Sequence, residues 1–143
     1  MSEGAFDMQK NVYRLIDANL NRLKEGLRVV EDIVRFVYGD ASLTASLKEI
    51  RHDCSRVMVN FPVPYRKMVA TRESNHDVGK RSQITDQKRP EWQDLLTRNL
   101  KRAEESLRVL EEVSKMVAPT QSPRFQSLRF KVYGLEKKVL KKF

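Results

Sequence analysis

The chain has 143 residues, a formal net charge of +9 and charged side chains at 33% of its positions, and its length suits a single domain, 1–143. Few glycines and prolines (five of each) and a lack of alternating β-branched runs favour helices over sheet. The apolar runs are too short to span a bilayer, no secretory signal opens the chain and its one cysteine, Cys54, cannot form an internal disulfide, so we expect a cytoplasmic protein without a membrane partner.

The first long helix is predicted at about 11–38, because apolar residues recur there at steps of four and three. Gly39 is a suitable residue to follow its last turn. A second helix comes next, with Asp40 or Ser42 as its N-cap, and it ends before the two prolines of 61–65.

Residues 66–71 are predicted to form a short helical turn, and the polar residues 72–89 an ordered loop, because they show no helical period. Pro90 suits the first turn of a third long helix, which runs to about residue 117. Ser122 and Pro123 then predict the N-cap and first residue of a last helix.

The first and third long helices contain one pattern twice, at 19–37 and 99–117, with 9 identities in 19 positions and no gap. Identical polar residues in register indicate an internal duplication, since a helix has no need to repeat them. Ile50-Arg51 and Leu128-Arg129 extend the match to the other two helices. The predicted fold is all-α, an antiparallel bundle of four main helices built from two duplicated helical hairpins, about 11–60 and 90–142, with a long ordered connector at 61–89.

Both copies place an amide, a guanidinium and a small residue along one edge of the apolar stripe. In the first copy these are Asn19, Arg22 and Gly26, and in the second Asn99, Arg102 and Ser106. Two interpretations are open. The small residues allow close helix packing while Asn and Arg bind loop carbonyls, or the edge is the wall of a pocket with an anion-binding arginine.

The connector has no counterpart in the repeat. Its segment 72–81 holds cations, a carboxylate, a histidine and a turn glycine, which fits either an exposed polar connector or a functional loop. Nucleotide-binding glycine motifs, the protein-kinase signatures and zinc-type histidine spacing are absent from the sequence.

A family resemblance follows from segments that occur in order over about 14–137. They read DANLNR at 17–22, EGLRVVED at 25–32, IRH at 50–52, DVG at 77–79, NLKR at 99–102 and LRVLEE at 107–112. They resemble the monofunctional hydroxymethylpyrimidine phosphate kinases, a domain often fused in front of bacterial thiamine phosphate synthase. The resemblance implies an ATP-dependent kinase that converts 4-amino-5-hydroxymethyl-2-methylpyrimidine phosphate to the diphosphate in thiamine biosynthesis. Asn75 and His76 depart from the family pattern.

In such a reaction the substrate phosphate is itself the nucleophile, so positioning, Mg²⁺ and fixed positive charge would supply catalysis. The resemblance then implies Asp77 as a Mg²⁺ ligand and Arg72 as a second catalytic residue, with ATP as co-substrate. The implied substrate- and phosphate-binding residues are Asn19, Arg22, Arg51, His52, Gly79, Asn99 and Arg102. Whether Arg22 and Arg102 share one site is left open.

Two other functions compete with the kinase. One is a non-catalytic partner module that docks on a separate thiamine phosphate synthase. The other is a basic nucleic-acid binder, since a charge of +9 predicts an acidic partner. We expect no specific nucleic-acid binding, because the chain lacks a concentrated basic recognition helix and Trp92 is an isolated aromatic. A homo-oligomer is left open.

The duplicated glutamates are expected to be chiefly structural. Glu31 and Glu111 lie one turn after Arg28 and Arg108, and i, i+3 ion pairs of this kind add only about 0.2–0.5 kcal/mol.

Overall fold

The computed structural model describes residues 8–73 and 89–143, and all of its regular elements are helical. In chain order they are α1 (Met8–Asp32) with a π-helical turn (Ile33–Val37), α2 (Ala41–Val59), α3 (Tyr65–Val69), α4 (Trp92–Val117), a 3-10 turn (Pro119–Gln121) and α5 (Ser122–Lys142). The all-α prediction is confirmed for these ranges, which contain no strand. The predicted ordered loop falls largely on 74–88, outside the described residues.

The first long helix ends as its sequence predicts. After the π-helical turn, Gly39 adopts a φ of +64°, a left-handed conformation that glycine takes without strain. Asp40 then caps α2, since its carboxylate accepts a hydrogen bond of 2.9 Å from the backbone N–H of Leu43. The same carboxylate pairs with Lys142 at the end of α5, so this cap also ties two helices together.

The third long helix begins later than predicted, at Trp92 rather than at Pro90. Glu91 is its N-cap and forms a capping box with Asp94, whose carboxylate accepts a 2.9 Å bond from the Glu91 N–H. This reciprocal pairing satisfies two backbone N–H groups at the start of the helix, those of Glu91 and Asp94.

The last helix begins one residue earlier than predicted. Ser122 is its first residue, and Gln121 occupies the N-cap position without a side-chain hydrogen bond to the helix's first turn. The Ser122 hydroxyl instead donates a 2.8 Å hydrogen bond to the backbone carbonyl of Glu111 in α4. The side chain that local spacing predicted as a helix cap therefore makes a tertiary hydrogen bond to another helix instead.

The helices α1 and α4 form the centre of the fold and pack along most of their length. α5 packs extensively on α4, while α2 makes fewer contacts with α1 and also touches α5. The two halves are thus packed unequally, and the predicted pair of equivalent hairpins stays a prediction, as do the domain and repeat boundaries.

The apolar stripe of the repeat is buried as expected, including Leu20, Leu23, Leu27, Val30, Leu100, Ala103, Leu107 and Leu110. Cys54 belongs to the same core, and burial raises the pKa of its thiol to about 12.

Gly26 marks the closest approach of the central helices. A Cβ at this position would lie 2.9 Å from the backbone oxygen of Asn99 and 3.7 Å from the backbone nitrogen of Ala103. Earlier in α1, Asn19 and Arg22 share a groove with Ser106, which follows Asn99 and Ala103 along α4. Earlier residues of α1 thus lie near later residues of α4, so the two helices are antiparallel. The close-packing interpretation therefore holds at Gly26.

Gly26→Ala is expected to destabilise the protein by about 1–2 kcal/mol, because the steric conflict with a backbone atom exceeds the helix-propensity gain of roughly 1 kcal/mol. Gly134 in α5 is the matched control: a Cβ there would have no atom of residues 8–73 or 89–143 within 4 Å, so Gly134→Ala should stabilise by about 0.5–1 kcal/mol. Urea unfolding followed by circular dichroism measures both. Two shifts of the same sign would contradict the close approach of α1 and α4.

Candidate functional site

A groove of about 680 Å³ runs between α1 and α4. Its lining includes Asn19, Arg22, Arg98, Lys101, Arg102 and Ser106, and we call it the basic groove. Among the residues that line it, four cations face a single carboxylate, Glu105. The structure thus brings three of the predicted binding residues, Asn19, Arg22 and Arg102, to one place and adds two cations from α4.

The small polar residues of the groove are held by their own helices. Asn19 is 5% exposed, and its Nδ2 donates a 2.9 Å bond to the carbonyl of Leu15, one turn earlier. Ser106 donates a 2.7 Å bond in the same way to the carbonyl of Arg102. These amide and hydroxyl donors are therefore used within the helix, not on loop carbonyls, and the side chains that can meet a ligand's charge are the exposed arginines and lysine. Asn99 repeats the Asn19 bond at 2.8 Å, to Leu95, and does not line the groove.

A second cleft of about 570 Å³ adjoins the basic groove, because Asn19 and Arg22 line both. At its other side Arg72 makes a bidentate pair with Asp17, with Nε and Nη2 donating at 2.7 and 3.0 Å. Asp17 is 3% exposed, and this pairing, with a further bond to Tyr65, raises the pKa of Arg72. Arg72 thus anchors the start of the connector on α1, and its predicted catalytic role stays a prediction.

The remaining predicted site residues lie elsewhere. Arg51 on α2 contacts Glu31 at 3.4 Å, His52 is exposed on the same helix, and neither lines the basic groove or the adjoining cleft. Asp77 and Gly79, like Asn75 and His76, lie outside the described residues. In 8–73 and 89–143 no group of three or more metal-ligating side chains occurs, so Mg²⁺ and ATP stay predictions.

Glu31 and Glu111 are each the centre of an ion cluster around a buried carboxylate, which corrects the expectation of weak i, i+3 pairs. Glu31 is 1% exposed and contacts Arg28 at 2.9 Å as well as Arg51 on the next helix. Glu111 is 3% exposed and contacts Arg108 at 2.9 Å and Arg129 on α5 at 3.2 Å. The structural role predicted for both carboxylates agrees with this geometry, but local i, i+3 spacing understates their contribution.

A third charged cluster borders the basic groove. The ammonium of Lys101 lies 3.2 Å from Oε1 of Glu136 on α5 and 3.6 Å from Oε1 of Glu104. Glu104 is 3% exposed, and burial, followed by the neighbouring Glu136, raises the pKa of its carboxyl to about 7. Both Glu104 oxygens and Oε2 of Glu136 are buried and receive no hydrogen bond from the described residues. A proton held between the two carboxyls would supply that bond.

Residues 14–138 match the model of the ThiD2 family. The chain belongs to the ThiD2 family. Curated relatives named thiamine-phosphate synthase align with this ThiD2-family chain. The relative from Nostoc punctiforme is 34% identical, over 93% of this chain and 36% of that protein. The relatives from Thermosynechococcus vestitus and Synechocystis sp. are each 37% identical, over 86% and 90% of this chain and 34% and 36% of those proteins. The ThiD2-family chain thus spans about a third of the length of these relatives. No solved structure matches it.

The prediction of an ATP-dependent phosphomethylpyrimidine kinase is wrong. The relatives that align with most of the ThiD2-family chain carry the name of a different enzyme, thiamine-phosphate synthase. Several residues behind the resemblance, such as Glu31, Glu111 and Arg51, hold the helices together. Likeness in them identifies the helical unit and leaves the reaction undetermined. No helix in the described ranges has the length and apolar character needed to cross a membrane.

Proposed function

We propose that this ThiD2-family chain is a helical partner module of thiamine biosynthesis, which binds a phosphorylated intermediate and works beside a thiamine-phosphate synthase. The basic groove is the observation that carries the proposal. The relatives support its setting, because a segment like this chain makes up about a third of proteins that are named thiamine-phosphate synthase. The synthase partner is either joined to such a module or a separate protein.

The groove has the chemistry that a phosphate requires. Arg22 from α1 and Arg98, Lys101 and Arg102 from α4 face it, so two helices supply cations to one volume. Arginine offers a planar set of donors that pairs two phosphate oxygens at once. Among the described residues that line the groove, Glu105 is the one carboxylate, and Arg22, Arg98 and Arg102 are cations beside Lys101, so the groove favours a dianionic or more highly charged ligand. A phosphorylated pyrimidine, the ligand class implied by the family resemblance, is the first to test.

Ligand binding is expected to require arginines from both helices. In Arg22→Gln/Arg102→Gln, affinity for the pyrimidine phosphate should fall at least 100-fold, because each charge-assisted hydrogen bond contributes about 1.5–3 kcal/mol. Isothermal titration calorimetry at fixed ionic strength measures the change. The matched control is Arg66→Gln/Arg124→Gln, which removes the same charge from exposed positions on α3 and α5. Equal affinity in the two double variants would mean that the groove is not the binding site.

The partnership has its own test. A separately produced thiamine-phosphate synthase, mixed with the ThiD2-family chain, should form a complex in sedimentation velocity experiments or show faster turnover of a limiting phosphorylated substrate. If the synthase does not bind the chain and its turnover is the same with and without the chain, the partner-module function is excluded. Ligand binding in the groove is then judged by calorimetry alone.

A further inference from the structure

We propose that oxyanion binding in the basic groove is coupled to proton uptake by the Glu104–Glu136 pair, with Lys101 as the link between the two sites. This inference rests on the proposed function, because it concerns the same groove. It assigns a role to a buried carboxylate pair that helix packing alone does not require.

Lys101 belongs to both sites. It is exposed and lines the basic groove, yet its ammonium contacts Glu136 at 3.2 Å and Glu104 at 3.6 Å. A flexible four-carbon stem allows a lysine to redirect its charge between nearby partners. When the groove is empty, the ammonium is the cation that balances the two carboxylates. When an oxyanion enters, the same ammonium is drawn toward the ligand.

The carboxylate pair cannot lose this cation without a further change. Glu104 is 3% exposed, Glu136 faces it from α5, and Lys101 is the cation that acts on it from its own helix. The other long helix packed on α4 is α1, which approaches α4 at Gly26, beside Ala103. The buried α1 side chains near this contact, Leu23 and Leu27, are apolar and carry no charge. The Glu136 side chain, which is 15% exposed, lies beside the buried Glu104. The two carboxylates do not both stay ionised once their counter-ion moves away, so the pair takes a proton from solvent.

The direction of the pH effect follows from this coupling. In the empty protein the Glu104 carboxyl has a pKa of about 7, raised by burial and by Glu136. Withdrawal of Lys101 and arrival of an anion both disfavour its ionised form and raise this pKa further. The bound state therefore holds more protons than the empty state just above pH 7. Affinity is then highest below this pKa and falls as pH rises through it.

Sulfate is the suitable probe, because it stays a dianion from mildly acidic to mildly basic pH. A phosphate monoester gains its second charge with a pKa of roughly 6, which would strengthen binding as pH rises and mask the effect. Calorimetry in two buffers with different ionisation enthalpies reports the number of protons taken up for each sulfate bound. In the native protein near neutral pH this number should be a clear fraction of one, and affinity should fall by up to about tenfold per pH unit above the pair's pKa.

Three variants identify the source of the proton. Glu104→Gln keeps the size of the side chain but cannot titrate, so it should bind sulfate without proton uptake and with an affinity independent of pH. Lys101→Gln should bind more weakly and also without proton uptake. Arg98→Gln is the matched control: it removes another groove cation, which forms no ion pair with a carboxylate of residues 8–73 and 89–143, and it should weaken binding while proton uptake persists.

The outcomes separate this inference from the proposed function. Sulfate binding without proton uptake in the native protein, or uptake that persists in Glu104→Gln, overturns the coupling and leaves the groove as an anion site. No binding of sulfate or of the pyrimidine phosphate overturns the proposed groove and, with it, the coupling.

Discussion

Glu111→Gln is expected to lower the free energy of unfolding by about 3 kcal/mol, at the lower end of the range for breaking a buried ion pair. The side chains of Glu111 and its partner Arg129 are only 4% and 10% exposed. Removing the negative charge takes away the carboxylate that lies 3.2 Å from the largely buried guanidinium of Arg129. The loss stays below the upper end of the range because the amide oxygen of glutamine still accepts one hydrogen bond.

The neighbouring residue provides the control for this variant. Glu112 contacts Arg108 and Lys115, both at 3.1 Å, but its side chain is 44% exposed. Glu112→Gln should therefore change stability by less than about 1 kcal/mol. Urea unfolding at neutral pH measures both variants. Similar small changes would show that the α4–α5 cluster is not a buried ion pair in solution. A second check replaces both partners, since Glu111→Leu/Arg129→Met should recover much of the lost stability.

The helices could be predicted because burial follows the helical period. Residues such as Leu23 and Leu107 are completely buried, and the spacing of apolar residues four and three apart carries that information. Local chemistry also predicted Gly39 after the first helix and a cap at Asp40 or Ser42, of which Asp40 is the cap observed. It failed at Ser122, whose hydroxyl bonds to a carbonyl of another helix. A tertiary partner of this kind leaves no mark in nearby residues.

The ion clusters show what one more step of sequence reasoning would have found. The spacing of Arg28 and Glu31 indicated a surface pair, whereas the rotation of α2 places Arg51 over the same carboxylate. Arg51 and Arg129 are themselves repeated, as are Glu31 and Glu111. Two repeated residues of opposite charge on neighbouring helices are therefore a sequence signal for contact.

The lining of the basic groove was predicted in part for a similar reason, whereas its role as a binding site stays a prediction. Attention to repeated residues found Asn19, Arg22 and Arg102, but it passed over Arg98 and Lys101, which have no counterpart in α1. Their spacing against Arg102 and Glu105 places them on one face of α4, and that pattern is visible in the sequence. Glu104 carried no such signal, because its burial depends on where α5 packs.

Glu104→Gln is expected to stabilise the protein at about pH 8 by roughly 1–3 kcal/mol and to change stability little at about pH 4.5. Burial and Glu136 raise the pKa of the Glu104 carboxyl in the folded chain from the usual 4.5 to about 7. Between these values the folded state holds a proton that the unfolded state has lost, so stability falls as pH rises. Above both values the full penalty for burying the charge is present, and glutamine removes it.

The measurement is urea unfolding of Glu104→Gln and the native protein at the two pH values. Glu105→Gln is the matched control, since Glu105 is the adjacent exposed carboxylate and should give nearly the same difference at both. A stabilisation that grows from acidic to basic pH only in Glu104→Gln would locate the proton on the buried pair. Loss of stability at basic pH would mean instead that the ion pair with Lys101 outweighs burial, since the charge that glutamine removes would then be a net contributor to the folded state.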